Sequence, residues 1–161
     1  MEPANVHRHF MHAALEQARA AMAAGNIPIG AIVVHDGQVV SVGQNAIDDP
    51  RDDTHHAELR AIQEAAAFLA AHKHECTLYT TLEPCMMCLG AIVNVGIDTI
   101  VIAAKDSHVG ALDLLQHSAY YQRKLGGMSI VTGILMEESQ VLLDEYVRRT
   151  GWRPHLARGA A

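Results

Sequence analysis

The spacing of apolar residues near the start of the chain predicts a helix followed by a β-hairpin. Apolar side chains recur every three or four positions over residues 6–24, which is typical of an amphipathic helix with one buried face. Two β-branched runs, residues 31–34 and 39–42, then flank a turn that contains Asp36 and Gly37. Because Asp-Gly between such runs is a strong hairpin signal, we expect the sheet to begin with an antiparallel pair.

The rest of the chain alternates between helical and strand-like patterns after a polar loop over residues 47–54. The predicted elements are, in chain order, a helix over 56–71, a strand over 77–82, a helix over 84–94, a strand over 99–103, an irregular or partly helical segment over 105–127, a strand over 129–132 and a helix over 137–149. Strands interleaved with helices indicate an α/β layered fold with helices on both faces of one sheet.

Size and charge narrow the classes of function. With 161 residues, of which 50% are hydrophobic, the whole chain 1–161 is expected to form a single domain. A formal net charge of −6 and a pI near 5.9 argue against a broad nucleic-acid-binding surface, which would need clustered Lys and Arg. No leader-like start is present, and no stretch approaches the ~18 apolar residues of a membrane span, so we expect a cytoplasmic protein without a membrane partner.

Three residues carry the donor atoms of a candidate metal site. Cys85 and Cys88 form a Cys-x-x-Cys pair at the predicted start of one helix, and His56 stands at the start of another. One imidazole and two thiolates suit a tetrahedral catalytic zinc site that leaves one position for water. A helix N-terminus also favours thiolates over thiols. We therefore expect one zinc ion per chain, held by these three residues.

Other interpretations of these residue types remain open. His55 stands beside His56 and is an alternative ligand. A Cys-x-x-Cys pair alone is also compatible with redox chemistry or with half of a structural zinc site. The remaining cysteine, Cys76, begins an apolar strand and is expected to be a buried thiol. Several further histidines fall at polar positions or ends of helices and are expected to be solvated: His7, His9, His12, His72 and His74.

The two motifs together have the form of a known signature. His56-Ala57-Glu58 followed by Pro84-Cys85-Met86-Met87-Cys88 matches the His-x-Glu and Pro-Cys-x-x-Cys pattern of zinc nucleobase deaminases. The chain thus resembles the cytidine deaminase-like zinc superfamily. Residues 28–31, 43–45 and 81–92 resemble the branch that contains tRNA adenosine, guanine and yeast-type cytosine deaminases. The resemblance implies a three-layer α/β/α fold with a five-stranded mixed sheet, and often a homodimer.

Glu58 is the expected catalytic residue of such a site. Two residues after His56, it can approach the water at the metal without ligating zinc, and can pass protons to the ring nitrogen and the departing amine. By the same resemblance, Asn45 would hydrogen-bond the base. The backbone near Leu82 and Glu83 would position the reacting amino group.

Further substrate contacts are expected from loops around this site. Asp106 and His108 follow the strand over 99–103, and the carboxyl ends of strands in α/β sheets commonly face ligands. Ile27, on the loop before the hairpin, is also expected to border the substrate. Glu83 has two open interpretations, a role beside the metal or a structural ion pair.

Three hypotheses for the function follow. The favoured one is hydrolytic deamination of a free nucleobase, such as guanine, cytosine or a related amino-heterocycle, because the chain is acidic and only 4% aromatic. The alternative is deamination of adenosine in tRNA, which the motif similarity favours and the sequences at 48–55 and 119–124 disfavour. Basic residues that could reach tRNA phosphates are Arg148, Arg149, Arg153 and Arg158. The third is a non-catalytic zinc-stabilised binding module, against which the intact Glu58 argues.

Overall fold

The computed structural model describes residues 3–47, 52–124 and 127–152. Its elements are α1 (Pro3–Ala23), β1 (Gly30–His35), β2 (Gln38–Gln44), α2 (Ala57–Glu64), α3 (Ala66–Ala71), β3 (Cys76–Leu82), α4 (Met86–Val95), β4 (Thr99–Ala104), α5 (Leu114–His117), α6 (Ala119–Lys124), β5 (Ser129–Thr132) and α7 (Met136–Thr150). The loop residues 48–51, with Arg153 and Arg158 of the terminal segment, lie outside the described residues. Within the described ranges, no helix is long and apolar enough to cross a membrane.

The five strands form one mixed sheet in the order β2-β1-β3-β4-β5. β1 pairs antiparallel with β2 and with β3, whereas β3 and β4, and β4 and β5, pair in parallel. Asp36 and Gly37 at the first hairpin both have positive φ angles, 46° and 71°, as the turn between two twisted strands requires. The expected mixed sheet and its opening antiparallel pair are confirmed.

Alternate residues of β1 face two different helical layers. Ala31 and Val33 belong to a buried cluster that includes residues of α2, α3 and α4, whereas Ile32 and Val34 belong to a second cluster with residues of α1 and α7. This alternation is the period-two burial of a strand covered on both faces. The sheet therefore lies between helices on both sides, and the expected three-layer α/β/α fold is confirmed.

Two glycines let helices approach the sheet closely. A Cβ atom at Gly43, in β2, would lie 2.0 Å from the carbonyl oxygen of Ala57 at the start of α2. A Cβ atom at Gly30, in β1, would lie 2.1 Å from the carbonyl oxygen of Ala14 in α1. No side chain fits at these distances, so the first turn of α2 rests directly on the backbone of β2.

The boundaries of the helices over the two motifs differ from the prediction in two places. The expected helix over 56–71 is divided at Ala65, whose φ and ψ of −87° and 7° leave the helical region, although its N–H still bonds to Ala61 O at 3.1 Å. An alanine-rich sequence carries no local signal for such a division. Pro84 lies before Cys85, the N-cap of α4, and so precedes the first turn in which it was expected.

Candidate active site

The three expected metal-binding residues converge at the N-termini of α2 and α4. His56 is the N-cap of α2, Cys85 is the N-cap of α4, and Cys88 lies one turn further along α4. Nδ1 of His56 lies 3.6 Å from Sγ of Cys85 and 3.5 Å from Sγ of Cys88. The three donor atoms all lie within 4.8 Å of one another, although the histidine is 29 residues from the first cysteine.

These separations fit a tetrahedral zinc ion. With Zn–N of about 2.0–2.1 Å and Zn–S of about 2.3 Å, tetrahedral geometry places a nitrogen and a sulfur ligand roughly 3.6 Å apart. The donor groups of the cluster are one imidazole and two thiols. Three protein ligands leave a fourth position for water or substrate, as in catalytic rather than structural zinc sites.

The structure distinguishes His56 from His55, the alternative ligand next to it in the sequence. Nε2 of His55 lies 3.3 Å from Oδ2 of Asp52, and His55 is not part of the cysteine cluster. Cys76 is 1% exposed and lies at the start of β3, so it is the buried thiol that was expected. The structure thus brings His56, and not His55, to the two cysteines.

The two thiols of the cluster differ in acidity. A hydrogen bond from the Cys88 thiol, helped by His56, lowers the pKa of Cys85 to about 4. The same hydrogen bond and burial raise the pKa of Cys88, and the hydrogen bond to Cys85 raises the pKa of His56. By itself the pair favours one thiolate and disfavours a second, whereas a divalent cation between them would favour both.

Glu58 is buried beside the cluster, in the first turn of α2. Its side chain is 3% exposed, with Oε2 3.5 Å from Sγ of Cys88 and Oε1 3.2 Å from the hydroxyl of Thr80. Burial is the main cause that raises the pKa of Glu58. A carboxyl group whose protonated form is favoured next to candidate metal ligands is suited to hold and release a proton there.

Asn45 offers an unpartnered donor at the end of β2. The residue is 2% exposed and its backbone N–H bonds to Ile29 O at 3.0 Å. Its side-chain Nδ2 is buried and has no hydrogen-bond partner among the described residues. A buried donor without a partner costs free energy, which a ligand acceptor or a water molecule would recover.

The segment after β4 is attached to the cysteine motif by hydrogen bonds. The carboxylate of Glu83 accepts the backbone N–H groups of Asp106 at 3.3 Å and Leu112 at 3.1 Å, and Ala111 N donates to Pro84 O at 3.0 Å. The sequence left open a role beside the metal or a structural ion pair for Glu83, whereas its carboxylate accepts hydrogen bonds from backbone N–H groups. Glu83 therefore holds the loop over 105–112 against the start of α4.

The structure brings three of the four remaining predicted substrate contacts together. Leu82, Asp106 and His108 line one cleft of about 200 Å³, and His108 also lines a second cleft with Cys85. Oδ1 of Asp106 accepts the N–H groups of His108 at 2.9 Å and Val109 at 3.2 Å, so this carboxylate orders its own loop. Ile27 is 8% exposed and lies apart from the first cleft, in the turn before β1.

Sequence reasoning missed one polar residue of the site. Thr80 lies in the middle of β3 and is fully buried, and its hydroxyl lies 3.2 Å from Glu58 and 3.0 Å from the carbonyl oxygen of Leu82. A threonine within a β-branched strand is typical of strand packing, so the local pattern carries no sign of this contact. The contact becomes visible only when α2 is placed over β3.

The chain is similar to known deaminases over most of its length. A model of the MafB19-like deaminase family matches residues 5–137. A tRNA-specific adenosine deaminase from Bacillus subtilis is 32% identical over 150 residues, which cover 92% of this chain and 93% of that protein. A chloroplastic tRNA(adenine(34)) deaminase from Arabidopsis thaliana is 41% identical over 103 residues, but this match covers 63% of the chain and 8% of that much longer protein.

Solved structures extend the similarity to the fold. A structure from a study of A-to-I editing by tRNA:A34 deaminases at the wobble position of transfer RNA has a TM-score of 0.72 and 33% identity, covering 84% of this chain and 99% of the other. A guanine deaminase from Nitrosomonas europaea has a TM-score of 0.68 and 28% identity, covering 84% of this chain and 81% of the other. These two similarities support a fold that the chain shares with deaminases.

Proposed function

This chain belongs to the MafB19-like deaminase family, and from that premise we propose that it deaminates adenosine in transfer RNA to inosine. The chain is a deaminase, a hydrolase of C–N bonds. The observation that carries the choice of substrate is similarity over nearly the whole length of both chains to a tRNA-specific adenosine deaminase. The structure of a tRNA:A34 deaminase, 99% covered by this chain, supports the same substrate.

The donor set supports zinc as the cofactor. His56, Cys85 and Cys88 would hold the ion, with S···N separations of 3.6 and 3.5 Å that match tetrahedral ligation. When bound, zinc supplies Lewis acidity that activates water for attack on C6 of the adenine ring. The overall reaction consumes one water molecule and releases ammonia.

Glu58 moves the protons of this reaction. Its buried carboxyl lies beside the ligands, with Oε2 3.5 Å from Cys88 Sγ. In our proposal the Glu58 carboxylate takes one proton from the attacking water and delivers it to N1 of the base. It then takes the second proton from the same oxygen, now bonded to C6, and passes it to the amino group, which leaves as ammonia while the C6 carbonyl forms. The hydroxyl of Thr80 holds the carboxyl in one orientation throughout.

Two polar features would orient the substrate. The unpartnered Nδ2 of Asn45 would donate to an acceptor on the base or ribose. Lys105, His108 and Trp152 line the same cleft as Leu82, and so present a cation and an indole ring near the end of β3. Phosphate groups and unstacked bases bind to such side chains. The carboxylates of Asp106 and Asp144 line the same cleft, so the cleft is not a basic surface, and its features for RNA are the cation of Lys105 and the indole of Trp152.

A free purine base is the second candidate substrate. It was favoured by the sequence because of the acidic composition, and the similarity to a guanine deaminase from Nitrosomonas europaea supports it. The match to the tRNA-specific adenosine deaminase covers 92% of this chain and 93% of that protein, against 84% and 81% for the guanine deaminase, so the tRNA hypothesis takes precedence. The two hypotheses require the same chemistry at Glu58 and differ in what the outer cleft contacts.

A homodimer and a cytoplasmic location remain predictions. Support for the dimer comes from exposed apolar side chains next to the candidate zinc site: Met86 is 66% exposed and Val109 is 45% exposed, and both line the cleft that includes Cys85. A second copy of the chain would bury them. Light scattering of the purified protein at several concentrations measures this directly.

The test of the proposed function is a panel of substrates. Purified zinc-loaded protein is incubated with an anticodon stem-loop RNA carrying adenosine at position 34, with the same RNA carrying guanosine there, and with free guanine, adenine and cytosine. Inosine formation is measured by mass spectrometry and ammonia by a coupled assay, with Glu58→Gln protein as the blank. Inosine in the first RNA alone supports our proposal, whereas turnover of a free base without RNA turnover would replace it with the second candidate.

A further inference from the structure

A second group of metal-binding side chains lies at the opposite end of β3 from the candidate active site. Nε2 of His35 lies 3.1 Å from Oε2 of Glu75, and Nδ1 of His72 lies 3.0 Å from the same oxygen. The three donor atoms all lie within 4.8 Å of one another. Glu75 precedes β3 and Glu83 follows it, so the seven residues of the strand separate the two sites by on the order of 20 Å.

His72 and Glu75 lie 3 residues apart between α3 and β3, whereas His35 is 40 residues from Glu75 in the chain. His35 ends β1, where it pairs in register with Cys76, the residue after Glu75. His72 is the C-cap of α3, whose last turn lies beside the same end of the sheet. Their convergence therefore follows from the antiparallel β1–β3 register and from where α3 ends, and does not depend on flexible chain.

Ring contacts hold the two imidazoles in place. The ring of Phe68, in α3, stacks on His72 with centroids 4.2 Å apart and planes at 22°. The same phenyl ring meets His35 edge to face, with centroids 5.2 Å apart at 73°. Rings fixed in this way hold Nε2 of His35 and Nδ1 of His72 towards Glu75 before an ion arrives, which lowers the entropy cost of ligation.

The donor set has the chemistry of a transition-metal site. Two imidazoles and one carboxylate suit zinc and neighbouring divalent ions, and His₂Glu is a known three-ligand zinc set. With metal–ligand distances of about 2.0–2.1 Å and octahedral to tetrahedral angles, two donor atoms should lie roughly 2.9–3.4 Å apart. The separations of 3.1 and 3.0 Å between the imidazole nitrogens and Glu75 Oε2 fall in this range. In the metal-free chain, protons on these two nitrogens make the hydrogen bonds to Glu75, and an ion would displace those protons.

From this geometry we propose that His35, His72 and Glu75 form a second zinc site, distinct from the cluster at Cys85 and Cys88. The side chains of His35, His72 and Glu75 are 23, 36 and 57% exposed, so an ion can enter and keep water in its remaining positions. The ion would join the end of β1, the end of α3 and the start of β3. Because only the folded chain brings these ligands together, binding there stabilises the fold.

The first test counts zinc per chain. Full-length protein is dialysed to equilibrium against buffered micromolar free zinc, and bound zinc is measured by atomic emission in the wild type, His72→Gln and Glu75→Gln. His74→Gln is the matched control, because His74 is a neighbouring exposed histidine outside the cluster. Both cluster variants should bind about one equivalent less than the wild type, and His74→Gln should bind the same amount. Equal zinc in the wild type and Glu75→Gln would overturn the proposal and leave a hydrogen-bonded cluster.

A second test isolates this site from the first. In Cys85→Ala protein, zinc should raise the melting temperature, and the additional change Glu75→Gln should abolish that increase. In protein that retains Cys85, cobalt bound to the cysteine cluster should give a thiolate-to-metal charge-transfer absorption band. The change Glu75→Gln should leave that band unchanged. If zinc fails to raise the melting temperature of folded Cys85→Ala protein, the second site is refuted, whatever the result for deamination.

Discussion

The hydroxyl of Thr80 lies 3.2 Å from Oε1 of Glu58 and 3.0 Å from the carbonyl oxygen of Leu82. A hydroxyl has one proton to donate and can also accept. When Thr80 donates to Leu82, its lone pair faces the carboxyl and accepts the proton that a protonated Glu58 carries. When Glu58 is ionised, Thr80 can donate to it instead. Thr80 is thus a positioning residue that can pair with either protonation state of the proposed proton carrier.

Replacement of Thr80 by valine should therefore slow deamination without changing zinc content. The substitution keeps the shape of the side chain but leaves buried polar atoms unpaired, and a loss of about 1–2 kcal/mol corresponds to a roughly tenfold fall in kcat. KM should change little, and Thr80→Ser should restore most of the rate. Thr77→Val, at a different position of β3, is the matched control. A normal kcat in zinc-loaded Thr80→Val protein would show that the contact is incidental.

Cys85→Ala should lose the zinc ion of the active site. The experiment is best done in the Glu75→Gln background, so that only one site contributes, and zinc is counted after dialysis. With two of three ligands left, bound zinc should fall to about a tenth or less of the parent protein. Cys76→Ala serves as the control, because the Cys76 thiol is buried away from the cluster. Full zinc occupancy in the Cys85→Ala protein would contradict the ligand assignment.

Gly43→Ala should destabilise the protein and displace the first turn of α2. The added Cβ would lie 2.0 Å from Ala57 O, so the helix start that carries His56 and Glu58 must move. Overpacking of this kind costs about 1–3 kcal/mol in the free energy of unfolding, measured by urea denaturation.

Gly90→Ala provides the contrasting control for this substitution. Its nearest contact would be Tyr121 Oη at 3.6 Å, an ordinary van der Waals distance, and alanine favours a helix more than glycine does. Gly90→Ala should therefore leave stability unchanged or raise it by up to about 1 kcal/mol. Equal effects at positions 43 and 90 would argue against the close approach of α2 to β2.

The stability of the fold should fall at alkaline pH because of Tyr79. Burial raises the pKa of its phenol to about 12, whereas an unfolded tyrosine has a pKa of about 10. Between these values the unfolded chain releases a proton that the folded chain retains, so rising pH favours unfolding. The stabilisation linked to the raised pKa of Tyr79 is fully present below about pH 10 and is lost as pH rises towards 12.

Tyr79→Phe isolates this effect. In the wild type, Tyr79 Oη lies 3.0 Å from Nδ1 of His7, and the variant lacks this contact. At neutral pH the free energy of unfolding of the wild type should therefore exceed that of the variant by a constant amount. Their free energies of unfolding, from urea denaturation between pH 8 and pH 11.5, should then converge as the wild type loses stability. A difference that stays constant over this range would refute the assignment.

Local sequence patterns identified most of the fold and the centre of the candidate site. Strand and helix spacing predicted the sheet and its covering helices. The two short motifs identified His56, Glu58 and the cysteine pair, because the type and spacing of these residues determine the ligand chemistry. The branch of the superfamily followed from the longer motif. The preference for a free base came from total charge, which does not report where charges lie on the surface.

Contacts between distant segments could not be predicted in this way. His72 was expected to be solvated, but it lies 3.0 Å from Glu75 and shares that carboxylate with His35. This arrangement depends on the register between β1 and β3, which no local pattern of a single sequence specifies. The contact of Thr80 with Glu58 likewise depends on how α2 lies over the sheet.

The placement of His56 and Cys85 on separate helix caps has a consequence for how the protein responds to removal of the metal. The two residues are 29 positions apart, and β3 lies between them in the chain. Closing a loop of that length in a disordered chain costs about 3 kcal/mol, and the folded sheet meets that cost before any ion arrives. An ion held by both caps would in turn tie α2 to α4, so its removal should loosen the docking of these two helices before it disturbs the sheet.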